Sequence, residues 1–363
     1  MKKLIAIIAL AAAVIPAAWA EPTTAELNPE FKDRIEQAIK PKNTGSYGYR
    51  KEVRPFVLFH FSDIHSDGEE FARLVAFYTE YEKYFDCAVC TGDIVQASFS
   101  KSDFSYWAKT PGHEKIMITI GNHDTLRDHG NWDAAAWEDQ LSMQETYDAY
   151  LAANIDNWGA VYEKGKTYWY KDYPEKKMRL VGLDNMLRAD KDKAAADGQF
   201  RWFEKILSDA KAKGLSVLVC QHMPPQNIGK VDSNFTATGR TEGGWYNETI
   251  RYQAAVDKFK KSGGSFVMYL AGHLHRDEIC YNKDYPNQLF FCIDSSSIEQ
   301  CEANSYVMRT RGAKAMDLAN AVVVDTSTKT VKIIRVGVNL DSFLRPKNGI
   351  TLNYETGEII SQY

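Results

Sequence analysis

The order of elements along the chain predicts an α/β fold, and three observations carry that expectation. Apolar runs of strand length recur from Val53 onward, segments with helical periodicity separate them, and the last third turns to hairpins. Continuous apolar strands joined by helices argue for a mainly parallel sheet with both faces covered. The late hairpins argue for a mixed or second sheet packed against the first.

Residues 1–20 stand apart from this pattern. MKKLIAIIALAAAVIPAAWA has two lysines, an apolar stretch from Leu4 to Ile15, and the small-x-small pattern Ala18-Trp19-Ala20 ahead of Glu21. It reads as a secretory signal peptide cleaved after Ala20, of a style that suggests export to a bacterial periplasm or exterior. The apolar run is short of the about 20 residues a membrane span needs, and no later segment is long and apolar enough to cross a bilayer. Residues 21–52 read as a polar N-terminal extension, with one helical candidate, PEFKDRIEQAIK, and a linker, PKNTGSYGYR. The main domain is expected over 53–340 and a C-terminal tail over 341–363.

Within the domain, FVLFHF is the first strand, and Phe71, Leu74, Val75, Tyr78 and Tyr81 then recur at helical spacing. CAVCTGD, KIMITIGNHD and MRLVGLDN supply three more strands. GQFRWFEKILSDAKAKG is a helix with Phe200, Phe203, Ile206, Leu207 and Ala210 on one face, stopped by Gly214. LSVLVCQH and SFVMYLAGHLH are further strands. EICYNKDYPNQLFFCIDSS and NAVVVDTSTKTVKIIRVGV read as hairpins. Two stretches, Thr125–Tyr170 and Met223–Tyr252, are longer than plain connections and suit insertions that wall an active site.

With 363 residues, 44% of them hydrophobic and 25% charged, the chain can bury a sizeable core. A formal charge of −4 holds no basic excess for a nucleic-acid polymer or an anionic membrane surface. Cys87 and Cys90 have redox spacing but sit inside an apolar strand, which favours two buried thiols. Cys280 and Cys292 flank the turn NKDYPNQ, and an oxidising compartment would allow a bridge between them.

Ligands in such sheets bind at the carboxyl ends of strands. Those ends read Asp63-Ile64-His65, Gly92-Asp93, Gly121-Asn122-His123-Asp124, Gln221-His222 and Gly272-His273-Leu274-His275. Five of the eight histidines fall there. Buried ionisable groups are costly unless paired or metal-bound, and two cations would meet that cost. Residues two apart on a strand point the same way, so Asp63 and His65 can grip one ion. Mixed carboxylate, imidazole and amide donors suit Mn, Fe, Zn, Co or Ni. The glycines beside the ligands let the backbone turn close to the ions.

D-x-H, G-D, G-N-H-D, H and G-H-x-H in this order resemble the calcineurin-like metallophosphoesterase superfamily, with all five blocks intact from Asp63 to His275. The resemblance implies a β-sandwich of two packed mixed sheets flanked by helices, with the active site at strand C-terminal ends. It implies a first divalent transition metal on Asp63, His65 and His275, and a second on Asn122, His222 and His273. Asp93 would bridge them, with a hydroxide between the ions as nucleophile. His123 would serve the leaving oxygen as acid, with Asp124 orienting its ring. DGQFRW, with Gln199 and Trp202, is similar to a stretch of many secreted members. The expected substrate is a small phosphate mono- or diester. A silent metal-binding module and a two-metal hydrolase of amides or lactones are the alternatives. Arg127, His129 and Trp245 are candidate substrate contacts, although solvated loop positions are the default reading of the first two and packing of the insertions is the favoured account of Trp132, Trp137, Trp158, Trp245 and Tyr246. His60, inside the first strand, reads as a packed core residue.

Overall fold

Six consecutive residues of strand β1 (Phe56–Phe61) are buried, and the molecule is built outward from it. The computed structural model describes residues 21–40, 53–96, 104–126, 140–187, 189, 191–224, 228–230, 245–297, 309, 311–314, 316–337 and 349–362. Among the described residues, two short helices precede β1, α1 (Thr24–Leu27) and α2 (Phe31–Ile39). Then follow α3 (Gly68–Glu80), β2 (Cys87–Cys90), α4 (Ser105–Lys109), β3 (Ile116–Ile118), α5 (Asn122–Thr125) and α6 (Met143–Thr146). The middle of the chain gives β4 (Val161–Tyr162), β5 (Trp169–Tyr173), β6 (Met178–Gly182), α7 (Lys193–Ala212), β7 (Ser216–Cys220), β8 (Ile228–Lys230), α8 (Trp245–Lys261) and β9 (Ser265–Ala271). The last part gives β10 (Glu278–Asn282), β11 (Tyr285–Cys292), β12 (Leu318–Asp325), β13 (Thr330–Gly337), β14 (Gly349–Asn353) and β15 (Ile359–Gln362).

The strands form two mixed sheets. One has seven strands in the order β15-β14-β13-β12-β1-β2-β3, and the other eight in the order β4-β5-β6-β7-β9-β11-β10-β8. Strands β1, β2 and β3 run parallel, as do β6, β7, β9 and β11. The alternation of strand side chains sets the layers. Leu180, Leu218 and Leu270 join the core shared with the first sheet, while Val181, Val219 and Tyr269 join Phe203, Leu207, Val256 and Phe259 of α7 and α8. On the outer face of the first sheet, Phe59 packs against Phe77 and Tyr78 of α3. Two sheets face to face, flanked by helices, result.

Several sequence expectations meet a different structure. Residues 21–40 dock into the core: Phe31 and Ile35 are fully buried, and the Phe31 ring packs on Phe77 and Tyr81. The sequence sets 341–363 apart as a tail, yet β14 and β15 extend the first sheet from β13. Helix α7 begins at Lys193, capped where the Asp192 carboxylate accepts from the Ala195 N–H at 2.9 Å, so Gly198 lies inside it. The β10–β11 turn comprises only Lys283 and Asp284, and a register shift after Tyr281 pairs Cys280 with Phe290 and Cys292 with Glu278. Cys280 and Cys292 are buried free thiols, as are Cys87 and Cys90. Trp158 is buried against Trp169, a packing role. The leader over residues 1–20 lies outside the described residues. Among those described, no helix is long and apolar enough to cross a membrane.

Candidate metal centre

Each chemistry-bearing block follows directly on a buried strand. After β1 the chain leaves sheet geometry, and Asp63 and His65 adopt left-handed φ values of 55° and 49°. Asp93 after β2 has φ 51°, and His273 and His275 after β9 have 67° and 46°. Such conformations cost non-glycine residues about 1–3 kcal/mol each and cluster at functional sites. The pairing of Asp63 with His65 therefore comes from a coiled loop; alternation along a strand does not produce it.

Two groups of side chains converge. Asp63, His65, Asp93 and His275 form one, and Asp93, His222 and His273 the other, so Asp93 belongs to both. Its oxygens divide the work. Oδ1 accepts the His123 backbone N–H at 2.9 Å, while Oδ2 lies 3.1 Å from His222 Nε2 and 3.9 Å from His65 Nε2. Asn122 joins the second group: its Oδ1 lies 3.0 Å from His222 Nε2 and 2.9 Å from His273 Nδ1. In the first group, His65 Nε2 and His275 Nε2 are 3.0 Å apart, and His275 Nε2 is 3.3 Å from Asp63 Oδ1.

The arrangement fits divalent cations. Ligand atoms about 2.1 Å from one ion and at right angles sit about 3 Å apart, the spacing found here. His222 Nδ1 lies 2.8 Å from the Thr91 carbonyl and donates to it, which leaves the Nε2 lone pair facing two oxygens. That juxtaposition is repulsive unless a proton or a metal lies between. The Nδ1 atoms of His65 and His275 are buried and have no hydrogen-bond partner among the described residues.

Charges follow the same logic. Burial opposes ionisation of Asp63, but the His275 hydrogen bond and the nearby imidazoles outweigh it and hold the carboxyl at about 2. Asp93 is likewise held well below its usual range by His222 and His123 against burial. Burial pushes His65 and His273 down to about 3, which keeps both rings neutral, the form that binds metal. For His222, burial is overcome by Asp93, and the ring rises to about 9. Two ionised carboxylates, with His65 and His273 neutral, make a pocket built for positive charge.

Two glycines are there for room. A Cβ on Gly121 would lie 2.2 Å from Asp93 Oδ1, and one on Gly272 would lie 1.9 Å from Ser62 Oγ and 2.2 Å from Asp63 Oδ2. Only a bare backbone passes the ligands at these distances.

His123 stands at the edge of the cluster, its Nε2 3.8 Å from Asp93 Oδ2 and its ring edge-on to His65. Asp124 does not orient that ring. Its carboxylate accepts from the backbone N–H groups of Gly121, Ile94 and Val95 at 2.8, 2.8 and 3.2 Å, so it ties two ligand loops together. Successive residues on a helix point about 100° apart, which leaves Asp124 no line to its neighbour's ring. Arg127 and His129 lie outside the described residues, and so does the side chain of Trp245 at the start of α8. His60 is fully buried, with Nε2 2.9 Å from Thr91 Oγ1. Gln199 exchanges hydrogen bonds with the backbone of Asp184, and Trp202 packs on Tyr168.

The sequence reading misses Asn185 and Ser295–Ser297. Asn185 Oδ1 accepts the His222 N–H at 3.3 Å, and Ser295 Oγ donates to the Asp63 carbonyl at 2.8 Å. The signal was present: Asp294-Ser295-Ser296-Ser297 is a polar run at the end of an apolar strand, as the ligand blocks are.

No curated protein matches the sequence. Among solved structures, the chain is similar to a dimetal phosphatase from Danio rerio, with 12% identity, a TM-score of 0.47, and coverage of 83% of this chain and 99% of that one. It is similar also to a purple acid phosphatase from yellow lupin (Lupinus luteus) seeds, with 12% identity, a TM-score of 0.48, and coverage of 82% of this chain and 53% of that one. The family model described as calcineurin-like phosphoesterase matches residues 56–277, well over half of the chain and a span that holds every ligand block, and the chain belongs to that family.

Proposed function

We propose that the protein is an exported phosphoesterase that hydrolyses phosphate mono- or diesters with two divalent transition metals. The observation that carries this reading is the position of Asp93 Oδ2, among the described residues the one side-chain oxygen within 4 Å of imidazoles of both groups. Bound ions would supply Lewis acidity to the phosphoryl oxygens and to the attacking water. The chain's own residues do the rest. Asp63, His65 and His275 hold the first cation, and Asn122, His222 and His273 the second. Two carboxylates against two dications leave net positive charge for an anionic ester, with no need of a basic surface. His123, outside both groups and 3.8 Å from Asp93 Oδ2, would give a proton to the leaving oxygen.

The test is hydrolysis of p-nitrophenyl phosphate and of its bis ester by purified protein with Mn or Zn, paired with elemental analysis. Turnover with about two metals per chain supports the reading, and the preferred ester sets the substrate class. A metal-loaded sample that turns over no phosphate ester would favour a silent metal-binding module. Export rests on the composition of residues 1–20. N-terminal sequencing of secreted protein should begin at Glu21.

A further inference from the structure

Asp63, His65 and Ser66 hold φ values of 55°, 49° and 64°, three left-handed residues within four. Backbone of this kind persists only where its surroundings over-determine it. One side of the loop rests on the β2 end: Asp63, His65 and Ser66 N–H groups donate to the carbonyls of Gly92, Asp93 and Ile94. The other side is held from far along the chain, beyond residue 277 where the family match ends. There β11 runs out into Asp294-Ser295-Ser296-Ser297, all buried. Ser295 Oγ and the Ser297 N–H both donate to the Asp63 carbonyl, at 2.8 and 3.3 Å, and the Ser296 N–H donates to the Ser62 carbonyl at 2.9 Å.

This serine strap is neither strand nor helix, so its own shape needs a cause. Arg309 supplies one. It is 3% exposed, its Nη2 donates to the carbonyls of Ser295 and Ser297, and its Nη1 donates to the Met316 carbonyl at 3.2 Å. A rigid guanidinium fork can join three carbonyls on two segments at once; an ammonium has no such geometry. In the second group the His273 N–H also donates to the Asp63 carboxylate, at 3.1 Å, but His222 rests on Thr91 and Asn185, apart from the strap.

We infer that Arg309 is a positioning residue for the first ligand group, acting through Ser295 and Ser297 on the backbone of Asp63. The inference deepens the two-metal reading and rests on it. Groups bonded directly to metal ligands set affinity by about 10- to 100-fold, and the serines that Arg309 holds bond to Asp63 in that way. Titration of the metal-free full chain with Mn(II), followed by calorimetry and by the loss of free-ion paramagnetic signal, reads the two sites directly. Wild type should take up two ions. Arg309→Ala should weaken one of them about tenfold or more and leave the other within about threefold. Arg309→Lys should fall between. His65→Ala should weaken the same site, so adding Arg309→Ala to it should cost little more. Ser295→Ala removes a single hydroxyl and serves if Arg309→Ala does not fold; it should weaken that same site alone. Equal weakening of both sites, or two wild-type affinities in folded Arg309→Ala or in Ser295→Ala, overturns the inference. A wild-type chain that takes up no metal is a separate result, which would sink the functional reading and this inference together.

Discussion

Asp93 and His123 sit within 4 Å of each other and do different things, so their substitutions should separate. Asp93→Asn removes charge from the oxygen common to both ligand groups and is expected to lower metal occupancy along with rate. His123→Ala removes no member of either ligand group, so both metals should stay while turnover falls about 10²- to 10⁴-fold, most for esters with poor leaving groups. Elemental analysis beside a leaving-group series checks the pair; equal loss for good and poor leaving groups would refute the acid role. Asp184, a carboxyl outside both ligand groups, offers a separate test. Burial raises its carboxyl from 3.8 to about 6 against the hydrogen bond from Thr167. The folded chain thus prefers the protonated acid, and the stability this lends is full below pH 3.8 and lost as pH rises through about 6. Asp184→Asn stays neutral throughout and should gain on wild type by on the order of 2 kcal/mol between pH 4 and 7, read by urea denaturation at both. The residues that converge at the centre were legible because carboxylate, amide and imidazole stood at the ends of apolar runs, where a core has no use for them. Asp124 was misassigned because its partners are backbone N–H groups, which no sequence pattern announces. Ser295 and Arg309 escaped for the same reason, since both bond to carbonyls.

At the level of strands and helices, long apolar runs were readable and their ends were not. The β10–β11 hairpin was seen, but its register was not, because its turn at Lys283 and Asp284 lies closer to Cys280 than to Cys292, and even after the shift at Tyr281 the two cysteines face Phe290 and Glu278. Helix α7 was placed five residues late because Gly198 looks like a boundary, although the Asp192 cap starts the helix before it. Pairing between distant strands leaves no local mark at all. One such pairing lines up His60, Asn320 and Arg335 across β1, β12 and β13, all fully buried. Arg335 is paired with Asp277, two residues past His275, and both are fully buried. Removal of one partner of a buried pair strands the other charge. Arg335→Ala should therefore destabilise by about 3–5 kcal/mol, whereas Arg335→Met with Asp277→Leu should cost far less. Denaturant midpoints of the two variants against wild type decide it.

For the molecule as a whole, the fold class and the two-sheet packing followed from the sequence and its resemblance, while the extent of the sheets did not. Residues 21–40 and 349–362 are polar enough to look like appendages, yet they bury Phe31, Ile35, Ile350 and Leu352. If the centre binds cations only when folded, metal is a folding ligand, and a saturation of 100 Kd adds about 2.7 kcal/mol. Chelation should therefore lower the melting temperature by several degrees, and Mn or Zn should restore it; a midpoint indifferent to chelator would count against a resident metal. The first sheet carries a last consequence. Strand β1, which leads into the first ligands, lies between β2 and β12, and its Phe56 pairs with Val324. A ribosome would have to release some three hundred residues before that neighbour existed. A chain made only as far as residue 277 would hold every ligand and still lack the wall they lean on, so assembly must wait for β12 and proceed slowly, through contacts closed over very long loops.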